Sequence, residues 1–425
     1  ANDPLAFFDD LHRDYGDIVP YRIGGLRFWA VASPTGLEQV LVTDAAKLHK
    51  DLLTKQISRL LGDGLLTSDD PLWRKQRKLA APSFTPRHIA AYAEVMAAAA
   101  ARVVDRILAS PSRAPRDIQH ELTEVSLEVV LRTLFGTFDE ETAAAGRAIG
   151  SFLEAFEAEV RSVYRLVPWW LPTPMRRTMA ASREVLERYL VAIIEARRQS
   201  GEERDDLLGR LLAARDEDGV GMSDAQLRDE AITIFSAGHE TVALSLTYAT
   251  WLLARHPDVQ EAVGAEIDAV VGARPPGLGD VGELPLLDAV LQETMRLYPP
   301  AWLIGRHATE PLEIDGHAIR EGDQLHMPVR VVHHDPRYWT GPEAFRPVRW
   351  QNGETDDLPR FAYLPFGGGP RTCIGNHYAL LEAKLVLAAF VQRLRFRPDS
   401  SGRLVVAPLV TLRPRDPVTL VVEPR

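Results

Sequence analysis

Residues 366–377 read FGGGPRTCIGNH, and they hold the one cysteine of the 425-residue chain. Glycines at 367, 368, 369 and 375, with Pro370 among them, impose a tight turn, because glycine tolerates backbone angles barred to other residues and proline fixes one. A chain with a single cysteine cannot form a disulfide within itself, so its fold rests on packing alone. The turn and its thiol therefore set the first requirement on the fold: something must hold Cys373 in so stiff a loop.

Four roles for Cys373 are open on the residues alone. Zinc would draw on several Cys and His in close spacing, and only His377 lies nearby. A nucleophile needs a base, and His377 on the following helix is a candidate. A buried packing residue is the ordinary fate of a lone cysteine, yet passive packing does not call for four glycines around it. Such glycines let backbone approach a flat ligand and let main-chain N–H groups face the sulfur. A helix N-terminus beyond them favours the thiolate, which is the metal-binding form. Arg371 adds a cation for an acidic group on a cofactor. The combination suits an axial thiolate beneath a haem iron.

The surrounding chain predicts a mainly α fold with a minor β component. PLAFFDDLHRDYG reads as a short helix, and DIVPYRIGGLRFWAVASP as a strand pair turned at Gly24-Gly25. From about Pro71 to Val271 apolar residues recur at spacings of three and four, the helical period. After Pro311 short strands follow, with a hairpin at Asp315-Gly316. A proline-rich stretch then leads to the cysteine loop, a helix from about Tyr378 to Arg393 and a strand-rich tail. No repeat or long linker divides the chain, so residues 1–425 read as one domain.

Composition excludes several classes. With 46% hydrophobic and 25% charged residues the chain is an ordinary soluble globular protein. Its 49 Lys and Arg against 59 Asp and Glu give a net charge of −10, which argues against nucleic acid as a partner. The longest near-apolar run, Ala243–Ala254, is too short to span a bilayer. No signal-peptide pattern opens the chain, although its first residue is Ala and a leader is conceivable. A cytoplasmic location is the expectation.

At Phe366, Gly369, Arg371, Cys373 and Gly375 the loop resembles the F-x-x-G-x-R-x-C-x-G haem-binding loop of the cytochromes P450. Three further segments resemble the same family in the same order. SAGHETV supplies Ala237, Gly238, Glu240 and Thr241 to an [AG]-G-x-[DE]-T pattern, within a helical stretch from about Ser223 to Arg255. ETMR places Glu293 and Arg296 three apart, and PEAFRPVRW supplies Arg349, the set that forms a structural charge cluster in that family. WRKQR matches a W-x-x-x-R pattern, with Trp73 and Arg77 on one helical face.

The resemblance covers essentially the whole chain and implies a P450 haem domain without a fused reductase. It implies haem b with Cys373 as iron ligand, and Trp73, Arg77, Arg306 and Arg371 as partners of the haem carboxylates. It implies mono-oxygenation using O2, with Glu240 and Thr241 relaying protons and a ferredoxin or flavodoxin supplying electrons. A monomer is expected. Val242 departs from the second Thr or Ser that many members place after the threonine, which costs the pocket a hydroxyl. Peroxide-using members and those that rearrange hydroperoxides usually lack the acid–threonine pair.

By family position, the substrate pocket draws on Leu52–Leu66, Ile232–Val242, Pro300–Ile304 and Leu409–Leu412. The lining is mainly apolar, with Lys55, Arg59 and Asp63 as exceptions. A terpenoid or carotenoid is the expected substrate class, with fatty acids and polyketides as alternatives in which Lys55 or Arg59 holds a carboxylate. RSVYRLVPWWLPTP falls where the family has its substrate-access lid. Arg74, Lys75 and Lys78 form a basic face suited to an acidic electron donor.

Overall fold

The structure is a computed structural model that describes residues 3–110, 114–136, 138–161, 170–200, 204–399 and 404–425. Its residues cluster into two compact units, Ala1–Leu53 with Pro86–Ser126 and Glu240–Arg425, and Thr54–Thr85 with Leu127–His239.

In the first unit a five-stranded sheet runs in the order Ile18–Ile23, Leu26–Val31, Gln324–Pro328, Leu303–Ala308, Leu48–His49. The first two strands form the hairpin read at Gly24-Gly25, with Ile23 opposite Leu26 and Gly24 at φ 59°. The second strand then pairs in parallel with Gln324–Pro328, joining two regions nearly 300 residues apart. Asp323 anchors that join by accepting from Arg27 and, at 2.9 Å, from the Trp29 indole. The core on this sheet includes Val31, Leu37, Leu41, Leu325, Met327 and Val332. The Asp315-Gly316 hairpin is also present, with both residues at positive φ and Leu312 opposite Ile319.

Helices complete this unit. Ala93–Ala109 packs on Asn376–Arg393. The buried Ala99 and Ala100 of the alanine-rich run let the two backbones come close. Asn376–Arg393 begins two residues before the position read from periodicity, because Gly375 and its carbonyl cap an added first turn, accepting from the Ala379 N–H at 2.8 Å.

The second unit is helical. Glu140–Arg161 and Pro174–Ser200 pack together, with Leu72–Ala80 and Leu207–Ala213 as shorter members. Arg197 forms a buried ion pair with Asp206 at 2.6 Å and also donates to the Phe135 carbonyl at 2.7 Å. The helix Asp224–Arg255, whose residues up to His239 belong to this unit, is unbroken, and it begins at a capping box in which Ser223 and Gln226 exchange hydrogen bonds of 2.9 and 3.2 Å. Of the expected lid, residues 162–169 lie outside the described residues, while Trp170 is exposed. Among the described residues no helix is long and apolar enough to cross a membrane.

Candidate active site

The cysteine loop is a closed turn. The Cys373 N–H donates to the Phe366 carbonyl at 2.9 Å, and the Thr372 N–H and hydroxyl both reach the Gly369 carbonyl, at 3.1 and 2.8 Å. Arg371 ends a single 3-10 turn, Gly369–Arg371, and Gly375 leads into the following helix. Cys373 is exposed, in a loop held by these hydrogen bonds.

Two of the loop glycines are also packed tightly against the rest of the protein. A Cβ on Gly369, at φ 67°, would stand 1.8 Å from the Leu41 carbonyl oxygen, and one on Gly368 would stand 2.4 Å from the Phe361 ring. Both glycines are required by contacts with the protein itself. Gly367 is less confined, with its nearest neighbour, Ile304 Cδ1, at 3.7 Å.

Behind the loop lies the charge cluster expected from Glu293, Arg296 and Arg349. Glu293 accepts from Arg296 at 2.8 and 2.9 Å, from Arg349 at 3.1 Å, from the Trp350 indole at 2.9 Å and from the Arg346 N–H at 3.0 Å. Arg296 in turn donates to the His333 carbonyl at 2.9 Å. The His333 ring accepts the Leu364 N–H at 2.9 Å, two residues before Phe366, so the cluster braces the start of the loop. Burial and the Arg296 charge push His333 down to about 3, which keeps this ring neutral and able to accept.

On the Asp224–Arg255 helix, Glu240 is not free-standing. Its Oε1 accepts from the Arg413 guanidinium and, at 3.0 Å, from the Thr411 hydroxyl. Arg413 went unnoticed in the sequence, since it lies 173 residues away and belongs to no motif. Thr241 is half-buried on the next position, and its carbonyl accepts the Ser245 hydroxyl at 2.9 Å. Ala237 is exposed although Phe235, Ser236 and His239 around it are buried. At Gly238 the helix runs on without a bulge, and a Cβ there would stand 3.2 Å from Val130, so the glycine eases helix packing.

Arg306 is 7% exposed on its strand, not an ordinary surface arginine, and donates to its neighbour's carbonyl at 2.7 Å. In the second unit, Trp73 is buried and Arg77 half-buried on Leu72–Ala80. The basic face there is exposed but internally neutralised: Arg74 pairs with Asp70 at 2.8 Å, Lys75 with Asp216 at 3.0 Å, and Lys78 with Glu217. Lys55 is likewise paired, with Asp69.

Two buried carboxyls escaped the sequence because each reads as a polar position on an amphipathic helix. Burial pushes Glu382 up to about 8, against a lesser opposing pull from Ser126. Burial also pushes Glu230 up to about 8, opposed by the Leu65 N–H that it accepts at 3.1 Å and reinforced by Asp229.

The cytochrome P450 family profile matches residues 1–420. Cyclooctatin synthase of Streptomyces melanosporofaciens is 34% identical over all of this chain and 92% of its own length. Cyclooctat-9-en-7-ol 5-monooxygenase of the same organism is 32% identical over 99% of this chain and 91% of its own. Among solved structures, the haem domain of cytochrome P450DA superposes with a TM-score of 0.90 at 26% identity, covering 100% of this chain and 94% of that one. A thiol presented from a braced turn, an acid–threonine pair on an unbroken helix and a match along nearly the full length leave one assignment: this chain belongs to the cytochrome P450 family.

Proposed function

We propose that this P450 monooxygenase hydroxylates a C–H bond of an apolar, terpenoid-like molecule, with Cys373 as axial thiolate of haem b and electrons from a separate ferredoxin- or flavodoxin-type donor. The observation that carries the reading is the Phe366–Gly375 turn, which braces its backbone from both sides and leaves the thiol exposed. Haem, when bound, supplies the activation of dioxygen.

The chain's own residues do the rest. Arg371 and the buried Arg306, with Trp73 and Arg77, are the proposed partners of the haem carboxylates. Ala237 and Gly238 keep side-chain bulk away from the cofactor. Glu240 and Thr241 carry protons inward, and Arg413 and Thr411 fix where the Glu240 carboxylate points. A reaction that needed no protons would have no use for such a pair, which argues against isomerase or peroxygenase chemistry.

The pairing of Lys55 with Asp69 removes one candidate carboxylate anchor and so weighs against a fatty acid. The relatives' names point the same way, one of them being named for action on cyclooctat-9-en-7-ol, an alcohol. The test is the carbon monoxide difference spectrum of the reduced protein beside Cys373→Ser. A strongly red-shifted Soret band that the substitution abolishes is expected. A band like that of a histidine-ligated globin in well-folded protein would overturn the thiolate assignment.

A further inference from the structure

A cavity of about 310 Å³ opens in the first unit, between the N-terminal helix Pro4–Tyr15, the end of Pro285–Leu297 and the short helix Val329–His333. Its lining includes no residue of the cysteine turn, of the Glu240–Thr241 pair or of the four segments read as substrate pocket. The volume is at the small end of those that hold ligands.

Three carboxylates, Asp3, Asp9 and Glu343, line this cavity against one guanidinium, that of Arg330. Arg330 is committed to Asp9, at 2.8 and 3.2 Å, and stands 3.9 Å from Glu343. The lining is therefore acidic, and the shortfall of positive charge falls at Glu343 and Asp3.

His334 sets the second requirement. Its side chain is 7% exposed and lines the same cavity. Nδ1 lies 2.9 Å from the Arg330 carbonyl, which can only accept, so that nitrogen carries a proton. Burial, with the Arg330 and Arg296 charges, holds the ring well below its usual titration range, so Nδ1–H is its only N–H. Nε2 is then a bare acceptor with no hydrogen bond among the described residues, and the nearby Glu343 Oε2, at 3.8 Å, is an acceptor too. Two acceptors side by side, one of them charged and one buried, call for a donor that carries positive charge.

We propose that this cavity binds a small organic cation with N–H donors and a short aliphatic tail, of the alkylguanidinium type. Adjacent N–H groups of one planar fork can reach His334 Nε2 and the Glu343 carboxylate together, since those acceptors stand 3.8 Å apart. The tail rests on Leu297 and Val406, which supply the apolar part of the wall. Such a site is separate from the haem chemistry and needs neither electrons nor oxygen.

The test is isothermal titration calorimetry of the holoenzyme with butylguanidinium and with butylurea, its uncharged isostere. A guanidinium offers iron no lone pair, so the cofactor does not compete for the probe. The wild type is expected to bind one butylguanidinium about tenfold more tightly than butylurea. Glu343→Gln should bring that preference to within about threefold, and at 74% exposure the change leaves packing alone. Ala6→Phe, which fills the cavity from an exposed position on the first helix, should abolish binding of both. Equal affinity for the two probes would overturn the proposal, as would a preference that survives both substitutions, because the acidic surface at large would then hold the cation. Absence of binding by either probe would overturn it as well, leaving a cavity that holds only water.

Discussion

Glu240 is held by Arg413, a residue 173 positions further on, with the Thr411 hydroxyl closing on the same carboxylate oxygen at 3.0 Å. A carboxylate anchored in this way has one preferred direction, and any proton it carries to Thr241 passes through that geometry. Arg413→Leu should therefore leave substrate affinity unchanged but lower the fraction of electrons recovered as product about threefold, the balance appearing as peroxide. Thr241→Ala should uncouple in the same sense. Product per electron consumed, measured beside peroxide release, checks both, and full coupling in Arg413→Leu would separate the ion pair from proton delivery.

The loop glycines are not equivalent. Gly369→Ala drives a methyl group into the Leu41 carbonyl at a positive φ, so purified protein should carry less than half the haem of the wild type. Gly367→Ala meets only an ordinary van der Waals contact with Ile304 and pays mainly for its backbone angle, about 1–2 kcal/mol. It should keep its haem and melt a few degrees lower. Haem-to-protein ratios for the two variants decide the matter, and equal ratios would contradict the contact described.

Glu293 accepts from two buried arginines, an indole and a backbone N–H. Substituting glutamine leaves the buried Arg296 without its counter-charge and Arg349 with only the more distant Glu354 carboxylate, at 3.8 Å. A loss of about 3–5 kcal/mol is expected, read from the urea midpoint. Replacing the carboxylate should also loosen the His333–Leu364 contact, so haem should dissociate before the helices melt.

The pH dependence of stability follows from three groups whose shifts oppose one another. Glu230 and Glu382, raised from 4.5 to about 8, bind a proton in the folded state that the unfolded chain has released, so each lowers stability as pH rises between those values. His333, lowered from 6.5 to about 3, does the reverse, and its stabilisation is lost as pH falls below 6.5. With two carboxyls opposing one imidazole, the thermal midpoint should peak near pH 4.5, decline towards pH 6.5 and fall more steeply above it. Glu382→Gln should reduce that alkaline slope by about half, the remainder belonging to Glu230. An unchanged slope would show that the Glu382 carboxyl already ionises in the fold.

The basic face on Leu72–Ala80 is a sharper case for charge reversal than its sequence suggested. Lys75 and Lys78 are already paired with Asp216 and Glu217, so two sets of substitutions should act in opposite directions. Asp216→Asn with Glu217→Gln should speed reduction by an acidic ferredoxin severalfold at low salt, and Lys75→Ala with Lys78→Ala should slow it. Rates that ignore both pairs would move the docking site elsewhere.

Periodicity sufficed for the long helices, and glycine placement for both hairpins, because these features are local. The Glu293–Arg296–Arg349 cluster was visible only through the family pattern, since a Glu and an Arg three apart occur on many surface helices. Arg413 was invisible because its partner is remote in sequence, and side-chain ion pairs leave no periodic trace. The loop glycines were legible as a tight turn, but which surface pressed on them was not, because Leu41 and Phe361 lie outside the motif.

The pairing of Leu26–Val31 with Gln324–Pro328 has a consequence for how the molecule is made. During synthesis the first sheet strands must wait, unpaired on that edge, until residue 328 of 425 has left the ribosome. The cysteine turn comes later still and needs Leu41 already in place. The turn is therefore complete only after this long-range pairing, so a cofactor held there would be captured late in folding.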